Sequence, residues 1–201
     1  MTDDENLKAR IFAEEAAIRA QARLDRYLAK RPERFARPGE VNPKIAEWAG
    51  AVLAGEARDL VLFGSTGTGK TWSAWRAGEL LLRAGYDGTI DVVNAWRFKL
   101  AATPPLDTDA LLKLTTAGIL VLDDEGAVRI SDWDSDHLYG ILNERSEHCR
   151  PTIVTANIEG HPAGDPRTPF EVLFGQRIAS RLAENVTAVK FEGPDRRRQQ
   201  P

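Results

Sequence analysis

One eight-residue run, Gly64-Ser65-Thr66-Gly67-Thr68-Gly69-Lys70-Thr71, constrains this chain more than any other stretch. It fits G-x-x-x-x-G-K-[ST], and its context is the one such a run requires. The apolar segment Leu60-Val61-Leu62-Phe63 precedes it, and a helix-compatible stretch from Thr71 to Arg83 follows. Glycines let the backbone turn tightly, so that successive N–H groups point inward at phosphate oxygens. The positive end of the following helix then faces the same anion. Lys70 is expected to reach the outer phosphates, and the Thr71 hydroxyl to be a ligand of Mg²⁺. The binding stretch is taken to run from Gly64 through Trp72. A Gly/Thr-rich turn merely joining strand to helix is the plain alternative, and the strand–loop–helix context outweighs it. The pattern predicts a nucleoside triphosphate site.

Composition narrows the setting. With 201 residues the chain suits one domain of ordinary size plus a short appendage. Its net charge of −3 carries no global basic signature, so any nucleic-acid contact must come from a local patch. The single cysteine, Cys149, excludes a disulfide framework and a cysteine-rich zinc module. It fits a reducing cytoplasm and reads as a half-buried structural residue. The acidic, polar N-terminus is unlike a signal peptide, and no apolar run approaches the roughly 20 residues that span a bilayer. A soluble, cytoplasmic protein without membrane association is expected.

Along the chain, Thr2 and Glu5 form a capping box for a helix reaching about Lys30. Leu7, Ile11, Ile18, Leu24 and Leu28 mark an imperfect apolar stripe on it. Two readings stay open: a helix packed on its own domain or laced with solvated charge, and a docking helix for a partner protein. Pro32, Pro38 and Pro43 punctuate an Arg-rich stretch, a linker or a strap lying over the domain. Asn42-Pro43 opens a short helix with Trp48 facing the core. Thr89–Val93 is a second strand leading into Trp96-Arg97-Phe98-Lys99, either a nucleic-acid surface or core aromatics with solvated charges.

Gly118–Leu122 is a buried-strand run ending in Asp123-Asp124-Glu125. An apolar strand delivering acids at its C-terminal end, downstream of a phosphate loop, is the Walker B arrangement. Asp123 is expected to hold Mg²⁺ through water, with Asp124 or Glu125 orienting the attacking water. A helix over Ser131–His148 carries His137 and His148 as surface residues, and the next strand, Pro151–Ala156, ends at Asn157. That amide is a turn residue or a holder of the hydrolytic water beside the γ-phosphate. A helix through Phe170–Leu182 carries Arg177 and Arg181, a last strand covers Asn185–Phe191, and Arg196-Arg197-Arg198 forms a basic tail. Five strands interleaved with helices predict an α/β fold, its sheet largely parallel, with the phosphate site at the strand C-termini.

With these residues in place, the chain resembles the DnaC/IstB-like branch of AAA+ ATPases, which holds replicative helicase loaders and transposase-helper ATPases. The landmarks are Leu-Phe-Gly-Ser-Thr-Gly-Thr-Gly-Lys-Thr, Leu-Val-Leu-Asp-Asp-Glu-Gly, Arg-Pro-Thr-Ile-Val-Thr-Ala-Asn, Gly-Gln-Arg-Ile-Ala-Ser-Arg-Leu and Gly-Pro-Asp-Arg-Arg, from about Arg34 to Arg197. The resemblance implies a P-loop AAA+ core of five mainly parallel strands flanked by helices, with ATP and Mg²⁺ as ligands. It divides the chain into a helical extension and linker (1–42), an ATPase domain (43–193) and a basic tail (194–201). It makes Asn157 the sensor I residue and Arg181 the arginine finger that reaches a neighbouring subunit, so that the chain self-associates. It also places Trp96–Leu100 where related proteins line a single-stranded DNA channel. The implied function is an ATPase that loads a DnaB-like replicative helicase in DNA replication, its hydrolysis slow and stimulated by DNA or partner. The alternatives are an IstB-like transposase helper and a nucleotide-dependent switch with little hydrolysis. The sequence departs from the family in three ways. Only about 40 residues precede the ATPase domain, no C-terminal helical lid is evident, and Asp124 stands where most AAA+ proteins carry Glu. Arg196 or Arg197 is the candidate for sensor II. A small-molecule P-loop kinase, a rival of another class, needs an arginine-rich lid that the chain does not display.

Overall fold

The computed structural model describes residues 3–56, 59–125, 132–157, 168–183 and 186–196; for residues 3, 124, 125, 132–134, 169, 170 and 173 it describes the backbone alone. Thr2 and Arg197 lie outside the described residues.

Five strands, β1 (Asp59–Gly64), β2 (Ile90–Asn94), β3 (Ile119–Glu125), β4 (Thr152–Asn157) and β5 (Val186–Phe191), form one parallel sheet in the order β2-β3-β4-β1-β5. A parallel sheet covered on both faces needs strands that are apolar on both sides. The central strands comply: Leu60, Leu62, Ile119, Leu120, Leu122, Ile153 and Val154 are fully buried. Helices α1 (Asp3–Lys30), α2 (Pro43–Leu53) and α3 (Lys70–Arg83) cover one face around Trp48, Ile45 and Leu81. Helices α4 (Ala95–Ala102), α5 (Thr108–Thr116), α6 (Asp132–Glu147) and α7 (Pro169–Ala183) cover the other around Phe98, Leu138 and Ile178. From β1 the chain passes to the far edge at β2 and steps back through β3 and β4, then crosses β1 to β5. The carboxyl ends of β1 and β4 therefore meet at the switch in strand order, where Gly64 pairs with Asn157 and, on its other side, with Phe191.

Helix starts follow their side chains. The Asn42 carboxamide accepts the Lys44 N–H, Asn94 accepts from Arg97, and Asp107 accepts from Ala110. Thr168 and Glu171 form a reciprocal capping box at the start of α7. Gly175, with φ at 75°, breaks α7 into two helical pieces that the sequence reading ran together.

Three expectations change. The stripe on α1 divides: Leu24 is buried and Leu28 packs on the core, whereas Leu7, Ile11 and Ile18 are exposed. At 100° per residue, Leu7, Ile11 and Ile18 share a line roughly opposite Leu24 and Tyr27, so one end of the helix packs and the other does not. Cys149 is exposed rather than half-buried. It holds a left-handed conformation, φ 56°, just past α6, where its N–H reaches Ser146 and the Arg150 N–H reaches the Arg145 carbonyl. His137, on α6, is half-buried rather than on the surface, while His148 is exposed.

Candidate functional site

The P-loop connects the carboxyl end of β1 to the amino end of α3. Gly64 and Gly67 have φ of 132° and 78°, conformations that L side chains rarely adopt. Space adds a second reason. A Cβ on Gly64 would lie 2.0 Å from the Phe191 carbonyl oxygen, and one on Gly67 would lie 1.9 Å from an Asp195 carboxylate oxygen. Gly69 precedes α3 and offers no capping side chain, so the N–H groups of the first turn remain available to an anion. Lys70 is buried at 6% exposure, and its ammonium donates to the Gly64 carbonyl at 2.8 Å and the Ser65 carbonyl at 2.5 Å. The Thr68 hydroxyl donates to the same Ser65 carbonyl at 2.8 Å, which holds the loop in a tight ring. These contacts fix a cation and a set of amide donors at the mouth of β1, a cradle for phosphate oxygens.

Two strands from β1, Asp123 near the end of β3 accepts a hydrogen bond from the Thr155 hydroxyl of β4 at 2.8 Å; Asp123 is not among the described residues that line the cavity over the loop. Thr155 is buried, so this bond orients the carboxylate from inside the sheet. The Thr71 hydroxyl and the Asp123 carboxylate are hard oxygen donors that fit Mg²⁺, which binds through one or two protein ligands plus phosphate oxygens and water. Among the described residues no cluster of three or more His, Cys, Asp or Glu offers a full protein cage for a metal. Between Leu122 and Glu125 the β3–β4 register slips by one residue, so Glu125 rather than Asp124 pairs with Ala156. A bulge of this kind re-aims a strand end and is frequent beside active sites. The side chains of Asp124 and Glu125 themselves lie outside the described ones.

A cavity of about 620 Å³ opens over the P-loop. Thr66, Gly67, Gly69, Lys70, Thr71 and Trp72 line its floor, and Thr155 and Asn157 of β4 line one side. Ser65 and Thr68 belong to the loop without facing the cavity, and among its described lining residues Arg181 is absent. Thr155 and the place of Arg34–Glu40 at the site escaped the sequence reading, whereas Arg196 is one of its two candidates for sensor II. Thr155, two residues before Asn157 on the same face of β4, is recoverable from strand alternation alone. Arg196 enters from beyond β5, its N–H bonded to the Gly67 carbonyl at 3.0 Å. The segment Arg34–Glu40, which contributes Arg34, Phe35, Arg37, Pro38, Gly39 and Glu40, lines the outer wall. That segment is the strap over the domain; no local pattern ties it to the phosphate loop. Its attachment is Trp72, whose indole N–H donates to the Arg37 carbonyl at 2.9 Å while the Arg76 guanidinium sits 5.5 Å from the ring.

Comparison with known proteins follows the same lines. Among solved structures, this fold is similar to the crystal structure of the DnaC helicase loader, with a TM-score of 0.65 and 21% identity over 80% of this chain and 100% of that one. The crystal structure of DnaI is similar at a TM-score of 0.63 and 20% identity, covering 83% of this chain and 94% of that one. The replication initiator DnaA bound to AMPPCP and single-stranded DNA gives a TM-score of 0.59 and 21% identity over 78% of this chain, which spans 48% of that protein. At these identities the likeness speaks for the fold. No curated protein sequence matches this chain significantly. The model of the IstB-like ATP binding protein family matches residues 5–162, from α1 through the phosphate loop and β3 to beyond the end of β4. With that match over most of the chain and an AAA+ sheet order around the phosphate loop, the protein belongs to the IstB-like ATP binding family, in the DnaC/IstB-like branch of AAA+ ATPases.

Proposed function

We propose that this chain is an ATP-controlled loader or remodeler of a replicative DNA helicase. The observation that carries the reading is the division of α1. Its second half is anchored on the P-loop helix, while Leu7, Ile11 and Ile18 present an apolar line away from the domain. A helix with that pattern suits a groove on a partner protein. The likeness in fold to the whole of the crystallised chain of a helicase loader supports the choice of partner class.

The chemistry proposed is ATP hydrolysis. Lys70 and the loop amides hold the phosphates, Thr71 and Asp123 hold Mg²⁺, and Asp124 or Glu125 orients the attacking water with Asn157 beside it. Mg²⁺ supplies charge neutralisation on the phosphates when bound. Arg196 lines the cavity from the same chain and is the sensor II residue in this account. Arg181, on α7, acts as the finger for a neighbouring copy's γ-phosphate. On α4, Trp96 and Leu100 are about two-thirds exposed beside Arg97 and Lys99, with Phe98 buried beneath them. An exposed aromatic among cations suits stacking on single-stranded DNA.

The test uses purified replicative helicase from the source organism, mixed with wild-type protein and with Ile11→Glu/Ile18→Glu, each with ATP and with ADP. A stable complex formed by wild-type protein with ATP and lost in the double variant is the expected result. No complex in any nucleotide state overturns the loader reading. The family match favours a second reading, a transposase helper with the same core chemistry, and substituting the cognate transposase in the same assay separates the two. The Asp124 substitution favours a switch with little turnover, which single-turnover hydrolysis with and without single-stranded DNA decides.

A further inference from the structure

The run Gly193-Pro194-Asp195-Arg196 follows β5, and the chemistry of ATP hydrolysis draws only on its arginine. From Phe191 to Arg196 the chain runs along the phosphate loop and meets it at three glycines. At Gly64, the Phe191 carbonyl occupies the space that a Cβ would need. At Gly67, the Asp195 carboxylate does the same, and the Arg196 N–H donates to the Gly67 carbonyl at 3.0 Å. At Gly69, a Cβ would stand 3.6 Å from an Arg196 guanidinium nitrogen. Two consecutive residues, Asp195 and Arg196, thus grip the middle turn of the loop. Asp195 is half-buried, and it is absent from the described residues that line the cavity. Its carboxylate meets the loop from the side away from the ligand.

Within the loop, Lys70 donates to the Gly64 and Ser65 carbonyls. An ammonium has three N–H donors, so one that turns to a triphosphate exchanges backbone carbonyls for phosphate oxygens. The Thr68–Ser65 bond and the grip from the C-terminal side do not depend on that ammonium. Gly64, Gly67 and Gly69 all sit at positive φ, and glycine loses more conformational freedom on ordering than any other residue. A contact that fixes these turns before the ligand arrives lowers the cost of binding.

We propose that Asp195 is a positioning residue for the triphosphate: its carboxylate braces the Gly67 turn from behind and, with the Arg196 N–H, holds the loop amides ready for phosphate. The proposal rests on the nucleotide-site reading. The brace acts on the phosphates and not on the base, so it serves ATP and inorganic tripolyphosphate alike. Its negative charge opposes an anion, so the brace works through shape and an acceptor oxygen, both of which asparagine keeps. The coupling is reciprocal. Phosphate that orders the loop tightens the grip, and the stretch after β5 reports occupancy.

The experiment titrates Mg–ATP and Mg–tripolyphosphate into the full chain by calorimetry and follows amide exchange with and without each ligand. Asp195→Ala is expected to weaken both ligands about tenfold, and Asp195→Asn to keep both within about twofold of wild type. In ligand-free Asp195→Ala, exchange at Gly67–Gly69 is expected to quicken about tenfold while β1 and β5 keep their wild-type rates. In wild-type protein, either ligand is expected to slow exchange at the Arg196 amide about tenfold, because that N–H is bonded to the loop. Wild-type affinity in Asp195→Ala, or an Arg196 amide indifferent to both ligands, overturns the proposal while the nucleotide site stands. So does an Asp195→Asn protein as weak as Asp195→Ala, or quickened exchange spread over β1 and β5. Failure of both ligands to bind wild-type protein removes the nucleotide-site reading and the proposal with it.

Discussion

Arg145 shows how a single residue closes the gap between the ends of two elements. It is 1% exposed on α6, and its guanidinium donates to the carbonyls of Leu114, Ala117 and Pro151 and to the Thr152 hydroxyl. The first two carbonyls lie at the end of α5, where helical partners have run out. Burial pushes this guanidinium down to about 10, and it stays charged at neutral pH. Arg145→Met leaves several buried carbonyls without donors and is expected to destabilise the fold by about 3 kcal/mol or more in urea unfolding. A loss below about 1 kcal/mol contradicts the role. Cys149 points the other way. Its left-handed conformation closes a Schellman turn where glycine is favoured, so Cys149→Gly is expected to stabilise by about 0.5–1 kcal/mol in the same assay. At this scale the sequence was most legible where one residue type has one use, as at Asn42, whose side chain caps α2. Arg145 and Thr155 stayed hidden because their partners lie on other elements; Arg145 reaches back 31 residues to Leu114 and Thr155 pairs with Asp123, 32 residues away.

At the scale of elements, the attachment of α1 to α3 depends on two small features. Gly78 lets Tyr27 approach so closely that a Cβ would stand 2.2 Å from its hydroxyl oxygen, and burial pushes that phenol's pKa upward. Beside it, the Glu79 carboxylate accepts from Arg31, Arg76 and Arg83. Burial raises the Glu79 pKa, but Arg83, Arg76 and Arg31 outweigh burial and hold it below its ordinary 4.5. A carboxyl depressed in the folded state contributes stability that is complete above the unfolded pKa and disappears as pH falls through the folded one. Acidification from pH 6 to below about 4 is therefore expected to release α1, read as faster amide exchange in residues 24–31, with Glu79→Gln flattening that response. Unchanged exchange in wild-type protein across this range contradicts the clamp. The central strands were legible as apolar runs, because a parallel sheet covered on both faces leaves little room for polar side chains, whereas the edge strands β2 and β5 carry Asp91 and Lys190. The two-sided character of α1 was not legible. Its stripe reads as one pattern in sequence, and only the position of α3 decides which half is covered.

For the molecule as a whole, the sheet order brings the carboxyl ends of β1 and β4 together beside the phosphate loop, while α4 leaves from the edge strand β2 at the far side of the sheet. Arg181 lies on α7 and outside the cavity lining among the described residues. A finger supplied in trans requires a head-to-tail contact between copies, and such an arginine is worth about 10³–10⁵ in rate. Arg181→Ala keeps its own ATP site and Lys70→Ala keeps its finger. Each alone is expected to be inactive, and their mixture to regain turnover; a mixture as inactive as its parts contradicts the shared site. The strap joins the site only through tertiary structure, since it lies more than 20 residues before the glycine loop it covers. The most direct measurement of the account is calorimetric titration of Mg–ATP into wild-type protein and Lys70→Ala. Saturable binding at one site per chain is expected, weakened about 100-fold or more when the buried ammonium is removed. Equal affinity in the two proteins would contradict a nucleotide site built on the phosphate loop.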